Sequence, residues 1–445
     1  MSKTFSLGGI HPNDNKISAN AAIEEFPLVD TAFVALNQHL GAPAEPVVAK
    51  GDKVLAGQLI AKASGFISAN IHSPVSGTVS AVEFLPDMAG NPVQHVVISV
   101  EGDEWLPSID RSPVIVKDIK LSSEEIIAKI AEMGIVGLGG AAFPTHIKLS
   151  PPPGKKAEFL IVNGAECEPY LTSDYRIMIE MPEQILIGVK LMMKALKVDK
   201  AYLGIEENKP VAIKKMKEIA AASYPEIKIV SLKKRYPQGG EKQLIDAIIK
   251  RRVPSMGLPI DVGAVVQNVG TALAVYEAVQ KNKPLVDGIV TVTGSCMKEQ
   301  RNFKLRVGTT FDKIMFAIGG FPKDAVKLIS GGPMMGKAVS RTEASSTKST
   351  SALLLLTEEE TKRGEESNCI RCAKCVDACP MGLEPYLLNR LSRQGKTVEL
   401  EENMVQDCIE CGCCLYSCPA NIPLLDTIRY SKAQVIRIMR SRPKK

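Results

Sequence analysis

The chain has 445 residues, 55 Lys and Arg against 49 Asp and Glu for a net charge of +6, and 11 cysteines. That length calls for three or four domains, and the modest charge, with no aromatic-plus-basic module beside it, excludes nucleic acid as a partner. No apolar run approaches the ~20 residues that cross a bilayer, and Met1-Ser2-Lys3-Thr4-Phe5 lacks an apolar signal core, so eleven cysteines predict a reducing compartment and metal ligation rather than disulfides.

Residues 40–100 hold short β-like runs between Gly and Pro: 46–48, 54–55, 58–60, 69–71, 77–79 and 93–100. Lys50-Gly51-Asp52-Lys53-Val54 and Ser73-Pro74-Val75-Ser76-Gly77-Thr78-Val79 resemble the biotinyl and lipoyl carrier barrel-sandwich. Carriers bear a modified Lys on the hairpin between these phrases, whereas Ser64-Gly65-Phe66-Ile67-Ser68 has none. The resemblance therefore implies the fold without the modification, a structural or docking module.

A helix is expected next, opened by Ser122-Ser123-Glu124-Glu125 as N-cap and acidic first turn, with Ile126, Ile127, Ile130 and Met133 on one face and an end at Gly134. Gly137-Leu138-Gly139-Gly140-Ala141-Ala142-Phe143-Pro144-Thr145 follows and matches G-x-G-x-x-A formally. A dinucleotide fingerprint should follow a strand and open a helix; this run follows a helix and meets Pro144, so alone it is weak. Strands at 158–162, 200–205 and 227–232 then alternate with helices at 182–196 and 210–222, which predicts an α/β layer with a mostly parallel sheet. Residues 287–333 read as short strands around a helix at 310–318, a β-grasp-like domain, and the Ser/Thr-rich stretch 340–351 reads as a linker.

The C-terminal part carries one spacing twice: Cys369, Cys372, Cys375, Cys379-Pro380 and Cys408, Cys411, Cys414, Cys418-Pro419. This is C-x₂-C-x₂-C-x₃-C-P, the ligand run of a protein with two [4Fe–4S] clusters, in which the fourth Cys completes the other cluster. The rule assigns Cys369, Cys372, Cys375 and Cys418 to one cluster, and Cys408, Cys411, Cys414 and Cys379 to the other. Structural zinc also uses Cys-x₂-Cys pairs but needs only four ligands per ion. Cys413 competes with Cys414, which alone keeps the x₂ interval. Cys167 and Cys296 read as small buried residues, and the five His show no metal spacing. The 28 residues between Cys379 and Cys408, with a helical pattern near 386–393, suggest a helical dicluster domain. From Arg429 to Lys445 seven Lys or Arg occur with no acidic residue, a basic end fit for anionic lipid, an acidic partner, or plain solvent.

Four central segments belong together: 137–148, Val162-Asn163-Gly164-Ala165-Glu166-Cys167-Glu168-Pro169, Tyr236-Pro237-Gln238-Gly239-Gly240-Glu241, and Gln267-Asn268-Val269-Gly270-Thr271. In this order residues 120–285 resemble the FMN- and NADH-binding flavoprotein subunit of respiratory complex I. With the barrel-sandwich and the doubled cluster motif, nearly the whole chain resembles the C subunits of Rnf ion-translocating ferredoxin:NAD⁺ oxidoreductases. The resemblance implies noncovalent FMN, NAD(H) as substrate and two [4Fe–4S] clusters. Gly137, Gly139 and Gly140 would bring backbone N–H groups to FMN and a cofactor phosphate, with Lys148 as a nearby positive charge. Asn163 and the catalytic candidates Glu166 and Glu168 would line isoalloxazine and nicotinamide; Gly239, Gly240, Glu241 and Asn268 would close the pocket. Ala142 replaces a third Gly and Ala165 replaces an acidic residue of the complex I flavoprotein, which puts that carboxylate's role in doubt.

The implied domains are an N-terminal segment with the barrel-sandwich (1–119), a Rossmann-like FMN/NADH domain (120–285), a β-grasp-like (SLBB) domain (286–338), a linker and strand (339–366), and a ferredoxin-like dicluster domain (367–445). The implied partners are a ferredoxin-like iron–sulfur subunit and integral-membrane subunits, with the chain peripheral on the cytoplasmic face of the inner membrane. A soluble hydrogenase or formate dehydrogenase flavoprotein subunit would share the FMN site but normally uses other Cys spacing and lacks the carrier-like domain. A scaffold like the A subunit of the Na⁺-translocating quinone reductase shares the N-terminal features but has no need of eight cluster cysteines.

Overall fold

The computed structural model describes residues 2–442. Its centre is a four-stranded, fully parallel sheet in the order Ile227–Leu232, Ala201–Glu206, Phe159–Gly164, Ala264–Asn268. Numbered along the chain this is 3-2-1-4, half of a doubly wound sheet, so strand order reverses between the first and fourth strands and a crevice opens at their carboxyl ends. Leu160, Ile161 and Val162 are buried, as are Ala264, Val265 and Val266, because helices cover both faces of a parallel sheet and its strands read as unbroken apolar runs. Two of these helices, Pro182–Leu196 and Val269–Lys281, meet at Gly188, where a Cβ would lie 1.8 Å from the Ala272 carbonyl oxygen. The helix Ser123–Glu132 opens with a capping box: Glu125 N–H donates to Ser122 Oγ (3.3 Å) and Ser122 N–H to Glu125 Oε2 (2.7 Å).

The N-terminal module is two facing antiparallel sheets, one of Thr31–Ala35, Pro92–Gly102, Ser76–Pro86 and Lys53–Val54, the other of Glu45–Pro46, Leu59–Lys62 and Ile71–His72. Val34, Ile60, Ile71, Val79, Val96 and Ile98 fill the space between them. Its hairpin tip presents Phe66, 85% exposed, where a carrier would hold its lysine.

The third domain draws strands from outside its own stretch of sequence. Its six-stranded mixed sheet runs Ile23–Glu25, Arg301–Arg306, Asp287–Thr293, Ala352–Thr357, Ala325–Ser330, Lys337–Ala338. The stretch 340–351, expected as a linker, is a packed strap. Ala344, Ser346 and Lys348 are buried, Ser345 Oγ donates to Phe33 O (2.6 Å), and Lys348 N–H donates to Gln38 Oε1 (2.9 Å). Its polar residues serve as hydrogen-bonding plugs against backbone groups, a role composition does not separate from that of solvated linker residues. Lys348 Nζ ties Asn70 O (2.6 Å) of the barrel to Gly134 O (2.7 Å) of the central domain.

From residue 367 the described chain is helical, with Pro385–Arg393, Thr397–Glu402 and Leu424–Ser441 packed through Leu388, Leu391, Leu400, Leu424 and Ile428. The basic C-terminal helix is less free than its sequence suggests. Arg429 Nε and Lys432 Nζ both donate to Glu410 (3.2 and 2.8 Å), and Arg442 pairs with Glu401 at 2.6 and 2.7 Å. Three of the seven basic residues therefore have internal acidic partners; Lys444 and Lys445 lie outside the described residues. No helix among the described residues is long and apolar enough to cross a membrane.

Candidate redox site

The segments 163–169 and 268–271 leave the two strands that flank the switch point, so the sheet itself brings them together. Asn268 caps the helix Val269–Lys281, accepting from Gly270 N–H at 2.6 Å, and its Nδ2 donates to Asp174 Oδ2 at 2.7 Å. Asn163 Nδ2 donates to Gly239 O (2.9 Å), and Gly239 N–H reaches Cys167 Sγ at 3.3 Å. Glu166, with φ +47°, turns its carboxylate onto the start of the helix Ser173–Glu180, accepting from Asp174 N–H (2.7 Å) and Tyr175 N–H (3.3 Å). Burial holds its pKa above the usual carboxylate range, with Lys16 and Lys209 opposing that rise.

Glu168 stands apart from this group. Its oxygens accept from Met334 N–H (3.0 Å) and Met335 N–H (2.8 Å) of the third domain, and burial brings it to about 7. It fastens the loop to the neighbouring domain on the side facing Tyr236.

On the other flank, Gly137 N–H closes a turn onto Phe143 O (2.8 Å) and Leu138 N–H donates to Thr271 Oγ1 (2.9 Å). Gly139 adopts φ +73°, and a Cβ there would lie 2.9 Å from Asn268 Nδ2; at Gly140 a Cβ would meet open space. Lys148 Nζ donates to Glu241 Oε1 (2.8 Å) and Val266 O (3.3 Å), while Gly240 caps the helix that begins with Glu241. Beside the loop, Thr145 Oγ1, His146 Nδ1 and Gln267 Nε2 are buried without partners. Backbone held close by glycine, a lysine and unsatisfied buried polar atoms together fit a phosphate-bearing planar cofactor such as FMN.

Three further residues enter that spacing and motif reading missed. Lys16, 150 positions upstream of Glu166, donates to the carbonyls of Glu166 (2.8 Å), Glu168 (2.8 Å) and Leu171 (2.6 Å). Lys209 is fully covered and donates to Ala165 O (2.6 Å). Asp174, pushed up by burial to about 7, links Asn268 to Glu166. Together the two ammonium groups hold open a loop whose carbonyls would otherwise point at one another.

The cysteines fall into two groups. Cys379, Cys408, Cys411 and Cys414, with Cys413 beside them, line one small apolar cavity closed by Leu388 and Ile428. Burial first, then Cys408, Cys411 and Cys379, raise the Cys414 thiol. Burial likewise raises Cys375, whose charged neighbours include Cys418 and Cys369. Both loops repeat one backbone device: Arg371 and Ala373 flank Cys372 at φ +57° and +58°, as Glu410 and Gly412 flank Cys411 at +58° and +78°. Left-handed non-glycine residues cost about 1–2 kcal/mol each and persist where a loop must wrap a fixed centre. No group of three or more His, Cys, Asp or Glu among the described residues is gathered as a single-ion site; the fit to clusters rests on the cavity, the sulfur neighbours and the repeated loop. Cys413 is wholly buried and turns to Tyr236 O (Sγ to O 3.9 Å). Cys369 and Cys372 are exposed.

Comparison with known proteins matches four family models along the chain: the RnfC barrel sandwich hybrid domain (residues 3–103), the Nuo51 FMN-binding domain (130–277), the SLBB domain (289–338) and the 4Fe-4S dicluster domain (359–422). The C subunit of the proton-translocating ferredoxin:NAD(+) oxidoreductase complex of Clostridium ljungdahlii is 48% identical, covering 98% of this chain and 94% of that one. The Na(+)-translocating counterpart of Acetobacterium woodii is 42% identical over 96% of each. The C subunit of the ion-translocating oxidoreductase complex of Rhodobacter capsulatus is 41% identical over 97% and 84%. Among solved structures, a chain of an NAD+-reducing [NiFe]-hydrogenase aligns with a TM-score of 0.49 at 17% identity, over 73% of this chain and 68% of that one. The chain belongs to the family of C subunits of ion-translocating ferredoxin:NAD(+) oxidoreductase complexes.

Proposed function

We propose that this chain is the peripheral electron-transfer subunit of a membrane-bound ferredoxin:NAD⁺ oxidoreductase that moves an ion. It would exchange hydride with NAD(H) at FMN and pass single electrons through two [4Fe–4S] clusters. FMN, when bound, supplies the step from a two-electron hydride to one-electron carriers. The protein's share is binding, orientation and electrostatics. Gly137, Gly139, Gly140 and Lys148 would take the phosphate end. Asn163, Glu166, Gly239, Gly240, Glu241 and Asn268 would frame the ring, and Glu168 would brace the loop toward the clusters.

One observation carries the proposal: a single residue, Tyr236, belongs to the flavin motif and touches the cluster motif. Its hydroxyl donates to Cys411 O at 2.9 Å, and its chain runs three residues on to Gly239. The cluster assigned to Cys379, Cys408, Cys411 and Cys414 is then next to FMN. The cluster of Cys369, Cys372, Cys375 and Cys418, on the exposed loop, faces the partner iron–sulfur protein. Apolar side chains around that loop, Ile370 at 67% and Tyr416 at 57% exposed, suit a protein interface.

Reconstitution under anaerobic conditions with FMN, iron and sulfide tests this: about one flavin and eight iron per chain, with the flavin bleached by NADH. A chain that takes up iron but no flavin would refute it. We place the protein on the cytoplasmic face of the membrane, held by protein partners. High-salt washing should leave it on membranes that contain the other subunits, because salt screens only the charge component; full release would refute that placement.

A further inference from the structure

Hydride chemistry leaves a proton to move. NADH oxidised by one-electron carriers yields NAD⁺, two electrons and one proton, and the reverse reaction consumes them. That proton must travel between a covered site and water.

Behind the Glu166 loop lies a charged group of which the flavin reading uses only the Glu166 end. Lys16 Nζ is 3.9 Å from Glu166 Oε2, and Lys209 Nζ is 3.7 Å from Glu206 Oε2. Asp174 stands at the partly covered end, next to Asn268 and Gly270. Two ammonium groups thus face three carboxylates, and buried Glu168 also lies in the field of Lys16, so negative charge is in excess. A net charge inside protein is expensive, so the favourable state of the group holds one proton on a carboxyl.

At the opposite end Glu206 is 1% exposed, and its Oε1 is buried with no partner. It lines a small cavity shared with Lys16, Cys167 and Asn208. His11, Asp14 and Lys234 form the outer lining, Asp14 and Lys234 each about 40% exposed and 3.6 Å apart; Arg235 and Tyr236 flank it. The space is just large enough for a single water, and the orphaned carboxyl oxygen gives such a water a partner.

We propose that Glu206 is the solvent-side station of a proton path that runs from Asp174 and Glu166 past Lys16 and Lys209 into this cavity. The proposal rests on the flavin reading above. Released at the flavin end as electrons depart to the clusters, the proton displaces the one held by the group, and Glu206 passes one to cavity water; in the other direction the same groups take one up. Burial raises both Glu166 and Glu206 and brings Asp174 to about 7, which favours a proton held on this group.

The test is anaerobic stopped flow of the full chain, loaded with FMN and clusters, mixed with NADH in weak buffer containing a pH-indicator dye. In the wild type, dye protonation should keep pace with cluster reduction. Glu206→Gln should bleach its flavin within about twofold of the wild-type rate yet release its proton at least about tenfold more slowly, and Glu206→Asp should recover part of that rate. Wild-type proton release from Glu206→Gln would overturn the path, whereas a wild-type chain whose flavin never bleaches would overturn the flavin reading with it. Infrared difference spectra of the wild type need no variant: reduction should perturb a protonated carboxyl, and a spectrum without any such signal overturns the proposal.

Discussion

The Tyr236 hydroxyl donates to the carbonyl oxygen of Cys411 at 2.9 Å, and both residues are buried. Tyr236 also exchanges backbone hydrogen bonds with Ile10, at 2.8 and 2.9 Å. One side chain thereby fixes the spacing between the glycine loop at 239–240 and a cluster loop. Tyr236→Phe keeps the ring and loses the bond, worth ~1 kcal/mol. Flavin and iron content should be unchanged, while transfer from reduced flavin to the first cluster slows by about fivefold, read by stopped-flow absorbance.

Gly139→Val should weaken flavin binding without loss of iron. The position has φ +73°, and the new side chain would press on Asn268 Nδ2. Strain of about 1–3 kcal/mol either opens the loop or displaces the ligand, weakening FMN by roughly 10- to 100-fold. Fluorescence titration with FMN measures it; unaltered affinity would remove the glycine loop from the site.

The cysteine assignments separate cleanly by iron analysis. Cys372→Ser and Cys379→Ser should each remove about half of the iron, from different clusters. Cys413→Ser should keep all of it: Cys413 lines the same cavity, but only Cys414 keeps the x₂ interval, and the Cys413 sulfur has Tyr236 O within 3.9 Å. Loss of a cluster in Cys413→Ser would overturn the choice of Cys414.

His72 predicts an acid-sensitive barrel. Burial, and then the Lys348 charge, lower its pKa from 6.5 to about 3, and its Nδ1 has no partner. The unfolded chain binds a proton that the folded chain refuses, so the stability is complete above pH 6.5 and is lost as pH falls toward 3. At pH 5.5 the loss amounts to about 1.4 kcal/mol. Comparing denaturant midpoints of wild type and His72→Leu at pH 7.5 and 5.5 isolates this component: the variant should lose less stability on acidification.

Much of this was readable along the chain because the signals are local. The C-x₂-C spacing proposes its ligand sets, and Ser122 with Glu125 marks a helix start within four residues. Asn163 lies near the end of a strand whose apolar run, with those at 200–205 and 227–232, already implies a mostly parallel sheet; the fourth strand, Ala264–Asn268, is not among the runs legible in the sequence. What escaped depends on contacts between distant segments. Lys16 looks like one lysine among many until the fold carries it under Glu166, and strand Ile23–Glu25 has no partner until Arg301–Arg306 arrives beside it. Lys348 lies in a Ser/Thr-rich stretch whose composition matches a linker, though it is the pin between two domains. Likewise the basic tail gave no sign of Glu410 and Glu401, which occupy three of its charges.

The order of the electron wire is tested most directly by rapid-freeze EPR after mixing NADH with the Cys372→Ser and Cys379→Ser chains. With FMN beside the Cys379, Cys408, Cys411 and Cys414 cluster, Cys372→Ser should still reduce its remaining cluster at close to the wild-type rate. Cys379→Ser should hold electrons on the flavin, its surviving cluster reduced at least about tenfold more slowly. The reverse pattern, fast reduction in Cys379→Ser and stalling in Cys372→Ser, would contradict the account.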